Sequence, residues 1–157
     1  AKSLGLSVKD IDLTGDRPAD FVQGLLSAGC ADVANIRSFL PHKYSKILFS
    51  CSDAVLADSF HEPFGLVGLE AMASGGAVFV GRTGEDYARD LENSVVLETS
   101  KSAEAAASIL YLNQHRGLAQ ELRSRARSTA RDFTWDRIIN GMLQPKLQRI
   151  AWEQRVA

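Results

Sequence analysis

Short apolar runs alternate along this chain with longer stretches whose apolar residues recur at helical spacing. The runs at 10–14, 32–37, 54–57, 77–80 and 94–98 read as strands. Between and after them, 19–28, 41–51, 64–74, 103–113, 118–132 and 135–149 read as helices. Ala77-Val78-Phe79-Val80 is continuously apolar, as a parallel strand covered on both faces requires. Strand and helix taken in alternation predict an α/β domain with a doubly wound parallel sheet. Gly29 is expected to end the first helix, and Pro41 suits a first helical turn. Tyr44, Ile47, Leu48 and Cys51 form the expected buried face of the second helix. In the last third, Ser102 and Thr134 are placed to cap helices. Leu118, Leu122 and Ala126 point inward on one helix, with Arg123, Arg125, Arg127 and Arg131 read as a solvated face. Trp135, Ile138, Ile139, Met142 and Leu143 make an apolar stripe on the final helix, which Pro145 should kink or end.

Composition narrows the class without choosing a function. The 157 residues suit one domain over 1–157 with a real core. A hydrophobic share of 45%, a charged share of 24% and a net charge of -1 describe a globular chain with no electrostatic reason to bind nucleic acid. No apolar run approaches the ~20 residues of a membrane span, and no signal-peptide pattern is present. Cys30 and Cys51 are too few for a disulfide framework and are expected to be reduced packing residues of a cytoplasmic protein. The opening Ala1-Lys2-Ser3-Leu4-Gly5-Leu6, without Met, leads us to expect a piece of something larger.

Candidate chemistry concentrates in residues 59–75, where Glu62 and Glu70 flank a loop-to-helix junction directly after the strand 54–57. A strand, a polar turn and a helix N-terminus can hold an anionic, hydroxyl-rich ligand. Backbone N–H groups and the helix dipole meet phosphate, while carboxylates accept hydrogen bonds from sugar hydroxyls. This points to a nucleotide sugar. His42, His61 and His115 are isolated, and no Cys/His cluster has metal-ligand spacing, so no metal or cofactor is expected.

The string Glu62-Pro63-Phe64-Gly65-Leu66-Val67-Gly68-Leu69-Glu70-Ala71-Met72-Ala73-Ser74-Gly75 resembles the Glu, seven residues, Glu hallmark of retaining GT-B glycosyltransferases. The resemblance extends over nearly the whole chain, as the C-terminal half of such an enzyme. Leu13-Thr14-Gly15-Asp16-Arg17-Pro18 is similar to the family's first retained strand and turn, and Ile36-Arg37-Ser38-Phe39-Leu40 to its next strand end. Ser52-Asp53-Ala54-Val55-Leu56-Ala57-Asp58-Ser59 precedes the hallmark as it does in the family, and Phe133-Thr134-Trp135 opens the C-terminal helix. Departures stand at Ser38, where glycine is usual, at Asp58, where proline is usual, and at Thr83-Gly84-Glu85, which has one glycine of two.

The resemblance implies a Rossmann-like donor-binding domain, most of the C-terminal domain of a GT-B fold. It implies transfer of a sugar from a nucleoside-diphosphate sugar to an acceptor hydroxyl, with retained configuration and no metal requirement. It assigns Glu62 to the transferred sugar near the reacting carbon, the backbone of Phe64, Gly65 and Leu66 to sugar and phosphate, and Glu70 to the ribose. Leu40 would lie along the base, and Thr83 and Gly84 at a second loop of the same sheet edge. His61 is read as a polar surface residue. The family's preceding strand and Arg/Lys loop, and its acceptor-binding N-terminal domain, have no counterpart in these residues. The fragment alone is therefore expected to be inactive. The alternative is a glycosyltransferase-like module that binds or scaffolds without catalysis; a sugar-nucleotide epimerase fits the 62–75 string less well.

Overall fold

The computed structural model describes residues 5–13, 17–59, 61–81 and 83–156. It separates into two compact units, 1–45 and 46–157. In the first, strand β1 (Val8–Ile11) and strand β2 (Val33–Ile36) pair in parallel, from Val8 opposite Val33 to Ile11 opposite Ile36. Helix α1 (Pro18–Leu26) connects them, with Pro18 at its start, where the missing N–H costs nothing. Arg17 grips Asp20 with two N–H donors at 3.1 and 2.8 Å, securing that first turn. Phe21 and Tyr44 stack at 4.2 Å and, with Ile11, form this unit's buried centre. Of the strand end and turn expected over 13–18, residues 14–16 lie outside the described residues.

Helix α2 (His42–Cys51) leads into the second unit. Its sheet is parallel, ordered β3 (Val55–Ala57), β4 (Val78–Val80), β5 (Val95–Val96). Side chains alternate across a strand, and central β4 therefore feeds two cores. Val78 and Val80 join Val55, Ala57, Tyr87, Ala126, Ala130 and the helix α3 (Leu66–Ser74) residues Ala71 and Met72. Phe79, fully buried, joins Val95, Leu97, Leu112 and Leu122 on the other side. Leu112 comes from α4 (Ser102–Gln114), and Leu122 with Ala126 and Ala130 from α5 (Arg116–Ala130). Both sheet faces are covered by helices, as an apolar parallel strand demands.

Several expectations need correction. Helix α3 begins at Leu66, two residues late, so Pro63 stands before the helix and not in its first turn. Lys101, not Ser102, occupies the N-cap of α4. Its first turn is tied down instead by Glu104, whose carboxylate accepts the N–H groups of Glu98 and Thr99 at 2.8 Å each. Hydrogen bonding from Thr99 holds that carboxyl below the usual range. The final helical segment is broken into α6 (Trp135–Arg137), a π-helical stretch Ile138–Leu143, and α7 (Gln144–Val156). Pro145 offers no N–H to the preceding turn, and the widened stretch stands directly before it. Trp135 is 78% exposed, and the expected stripe is not covered. Cys30 and Cys51 are exposed thiols, one beyond the end of α1 and one closing α2, and not packing residues.

The arginine row is also not simply a solvated face. Arg123 donates Nη1 to the carbonyl of Gly75 at 2.9 Å and Nη2 to that of Ser52 at 2.5 Å. It thereby satisfies carbonyls just past the ends of α3 and α2, where a cation also suits the helix dipoles. Among the described residues no helix is long and apolar enough to cross a membrane.

Candidate functional site

The strand β3 ends at Ala57, and the chain then runs through a loop to the free N-terminus of α3. Gly65 is the N-cap of α3, with φ 78° and ψ 53°, a left-handed conformation that glycine adopts without cost. Space makes the same demand. A Cβ there would stand 3.1 Å from the Tyr87 hydroxyl and 3.3 Å from Thr83 Oγ1. Gly65 has no side chain with which to cap α3, so the N–H groups of Leu66 and Val67 are left for other acceptors, while the Gly68 N–H donates to the Gly65 carbonyl at 3.2 Å.

The loop rests on aromatic packing. Phe64, Tyr87 and Phe133 form a cluster with ring centroids 5.6 to 6.1 Å apart. The buried Tyr87 hydroxyl donates to the Gly65 carbonyl at 2.5 Å. Burial, and secondarily the negative charge of Glu62, push the Tyr87 phenol above its ordinary value near 10.0. Glu62 is therefore within electrostatic reach of the ring. Behind Tyr87, buried Asn93 donates to the Tyr87 carbonyl at 2.8 Å and to Thr129 Oγ1 at 2.9 Å, and accepts the Arg89 N–H at 2.7 Å. The segment after β4 is pinned at both ends.

Of the residues singled out in the sequence, Phe64, Gly65, Thr83 and Gly84 are brought together around Tyr87; Gly84 (φ 95°) would place a Cβ 2.9 Å from its ring. Thr83 is buried, and its Oγ1 has no hydrogen-bond partner among the described residues, an arrangement that costs about 1–3 kcal/mol. Leu66 is 61% exposed at the first position of α3. Glu62 and Glu70 are both exposed, one in the loop and one on α3. Among the described residues neither carboxylate takes part in an ion pair or side-chain hydrogen bond. Leu40 lies half-buried between β2 and α2, in the first unit.

At the carboxyl ends of β3, β4 and β5 lies a cavity of about 480 Å³ whose lining includes Asp58, Ser59, Gly81, Glu98 and Thr99. Glu62 and Glu70 do not line it. Asp58 packs against Gly81, where any Cβ would collide with its carboxylate. Ser38, another departure from the family's pattern, accepts the Leu13 N–H at 2.7 Å and so has a structural use. No group of three or more His, Cys, Asp or Glu among the described residues could hold a metal ion. Tyr87 and Asn93 were not legible as site residues. Their partners lie 22 and 36 positions away, and no spacing rule links them.

Residues 15–132 match the family described as Glycosyl transferases group 1. A D-inositol 3-phosphate glycosyltransferase of Salinispora arenicola is 32% identical over 133 residues, covering 82% of this chain and 29% of that protein. One from Actinosynnema mirum is 32% identical over 136 residues, covering 83% of this chain and 32% of its own length. The chain thus spans under a third of these relatives. Sucrose-phosphate synthase of Thermosynechococcus elongatus superposes with a TM-score of 0.67 at 24% identity, over 92% of this chain and 38% of that one. Anabaena HepE, solved in complex with UDP-glucose, gives 0.63 at 23% identity, over 84% and 38%.

Proposed function

Since this chain belongs to the glycosyl transferases group 1 family and has the GT-B fold, we propose that it is the donor-binding part of a retaining glycosyltransferase. The whole enzyme moves a sugar from a nucleoside-diphosphate sugar to an acceptor hydroxyl, the acceptor being held by a domain outside these residues. The observation that carries the reading is a helix start with glycine at its N-cap, flanked by two exposed carboxylates that among the described residues make no ion pair. The backbone of Phe64, Gly65 and Leu66 meets the sugar and diphosphate, where the helix dipole favours negative charge. Glu62 orients the transferred sugar and stabilises positive charge developing at its reacting carbon. Glu70 accepts both hydroxyls of the ribose, which a carboxylate does with two oxygens. Leu40 lies along the base, and Thr83 and Gly84 support the sugar edge. HepE's UDP-glucose complex supports a nucleotide sugar as the ligand class.

The test is a panel of UDP-, GDP- and ADP-sugars offered to the full-length protein, read by thermal shift and by NMR of the product anomer. Stabilisation by one nucleotide series with product of unchanged anomeric configuration is expected. Inversion at the anomeric carbon contradicts the retaining assignment. Binding without any transfer favours a scaffolding module that no longer catalyses.

A further inference from the structure

Tyr87 is 2% exposed, and its ring fills a slot walled by glycine backbone. A Cβ at Gly65 or Gly68 would stand 3.1 or 2.5 Å from its hydroxyl, and one at Gly84 would stand 2.9 Å from its Cζ. Phe64 and Phe133 hold the ring from the remaining sides. A plain packing role needs no hydroxyl in such a place, yet the hydroxyl donates to the Gly65 carbonyl oxygen, which also accepts the Gly68 N–H at 3.2 Å, and itself accepts the Leu69 backbone N–H. In a trans peptide the C=O and the following N–H lie in one plane and point in opposite directions. Anchoring the Gly65 carbonyl inward therefore turns the Leu66 N–H outward, at the head of α3, where Leu66 is exposed.

We propose that Tyr87 is a positioning residue for the donor loop, fixing the Gly65–Leu66 peptide so that its N–H is presented to the donor's sugar and diphosphate. This rests on the donor-binding reading given above. The residue acts through the backbone it holds and does not touch the ligand. The ring packs on Phe64, in the stretch whose backbone is assigned to the sugar and diphosphate.

The test is Tyr87→Phe in the full-length protein, which keeps the ring and removes the O–H. With the sugar nucleotide selected by the panel, the donor KM is expected to rise about fivefold to tenfold, with kcat within about twofold. A lowered Tm with unchanged KM means that Tyr87 only packs, and overturns the proposal. A crystal structure of the variant reads the same claim without ligand: the Gly65–Leu66 peptide should lose its single orientation, and an unchanged orientation overturns it. Should the wild-type enzyme turn over no sugar nucleotide, the donor-binding reading fails by itself, while the peptide orientation still decides whether Tyr87 positions the loop.

Discussion

At Gly65 two independent demands meet, a φ of 78° and neighbours 3.1 to 3.3 Å from where a Cβ would stand. Such a position ties local backbone to tertiary packing, and it brings the helix start close to Thr83 and Tyr87. Glu62, by contrast, is exposed and among the described residues makes no ion pair. Replacing Glu62 with Ala in the full-length enzyme should lower kcat by about a hundredfold or more, with a smaller change in donor affinity, because its charge matters most as the reacting carbon becomes positive. Steady-state kinetics check this; an unchanged kcat removes Glu62 from the chemistry. Tyr87 makes a second prediction. Burial raises its folded-state pKa above the ordinary 10.0, so the folded state binds the phenolic proton more tightly. Its contribution to stability is complete below that ordinary value and is lost as pH rises through the higher, folded value. Wild type should therefore lose more Tm than Tyr87→Phe above about pH 10. Equal losses contradict the assignment.

Among the elements, α3 and its two ends decide how the site is held. Gly75 closes it in the left-handed region at φ 81°, and Arg123 takes the carbonyl beyond. Arg123→Ala should destabilise the protein by about 1.5–3 kcal/mol, the range for hydrogen bonds from a charged donor, and Arg123→Lys should recover only part. Urea unfolding measures this, and a change near zero means the arginines are a solvated face after all. These contacts explain why some elements were legible and others were not. β3, β4 and α3 lie within two residues of their expected bounds, because periodicity and the 62–75 string are local signals. Arg123 reaches residues 48 and 71 positions away, and its charge in the sequence looked like ordinary surface. Tyr87 fills a gap left by three glycines that only folding brings together. The break before α7 was half legible: Pro145 announced a disturbance, but not the π-helical turn before it or the run to Val156.

For the molecule as a whole, family and fold follow from residues spread along most of the chain, whereas the chemistry depends on a short junction. Both cores pack against β4, which gives the loops at its ends a rigid base. The matched residues make up under a third of the relatives' length, so transfer is a property to be sought in the full-length protein. The most direct test of the central claim is calorimetric titration of that protein with its selected sugar nucleotide, wild type against Glu70→Ala. We expect the dissociation constant to rise by about tenfold or more, since the ribose diol would lose a bidentate charged partner. Equal affinity in the two proteins would contradict the assignment of this junction to the donor.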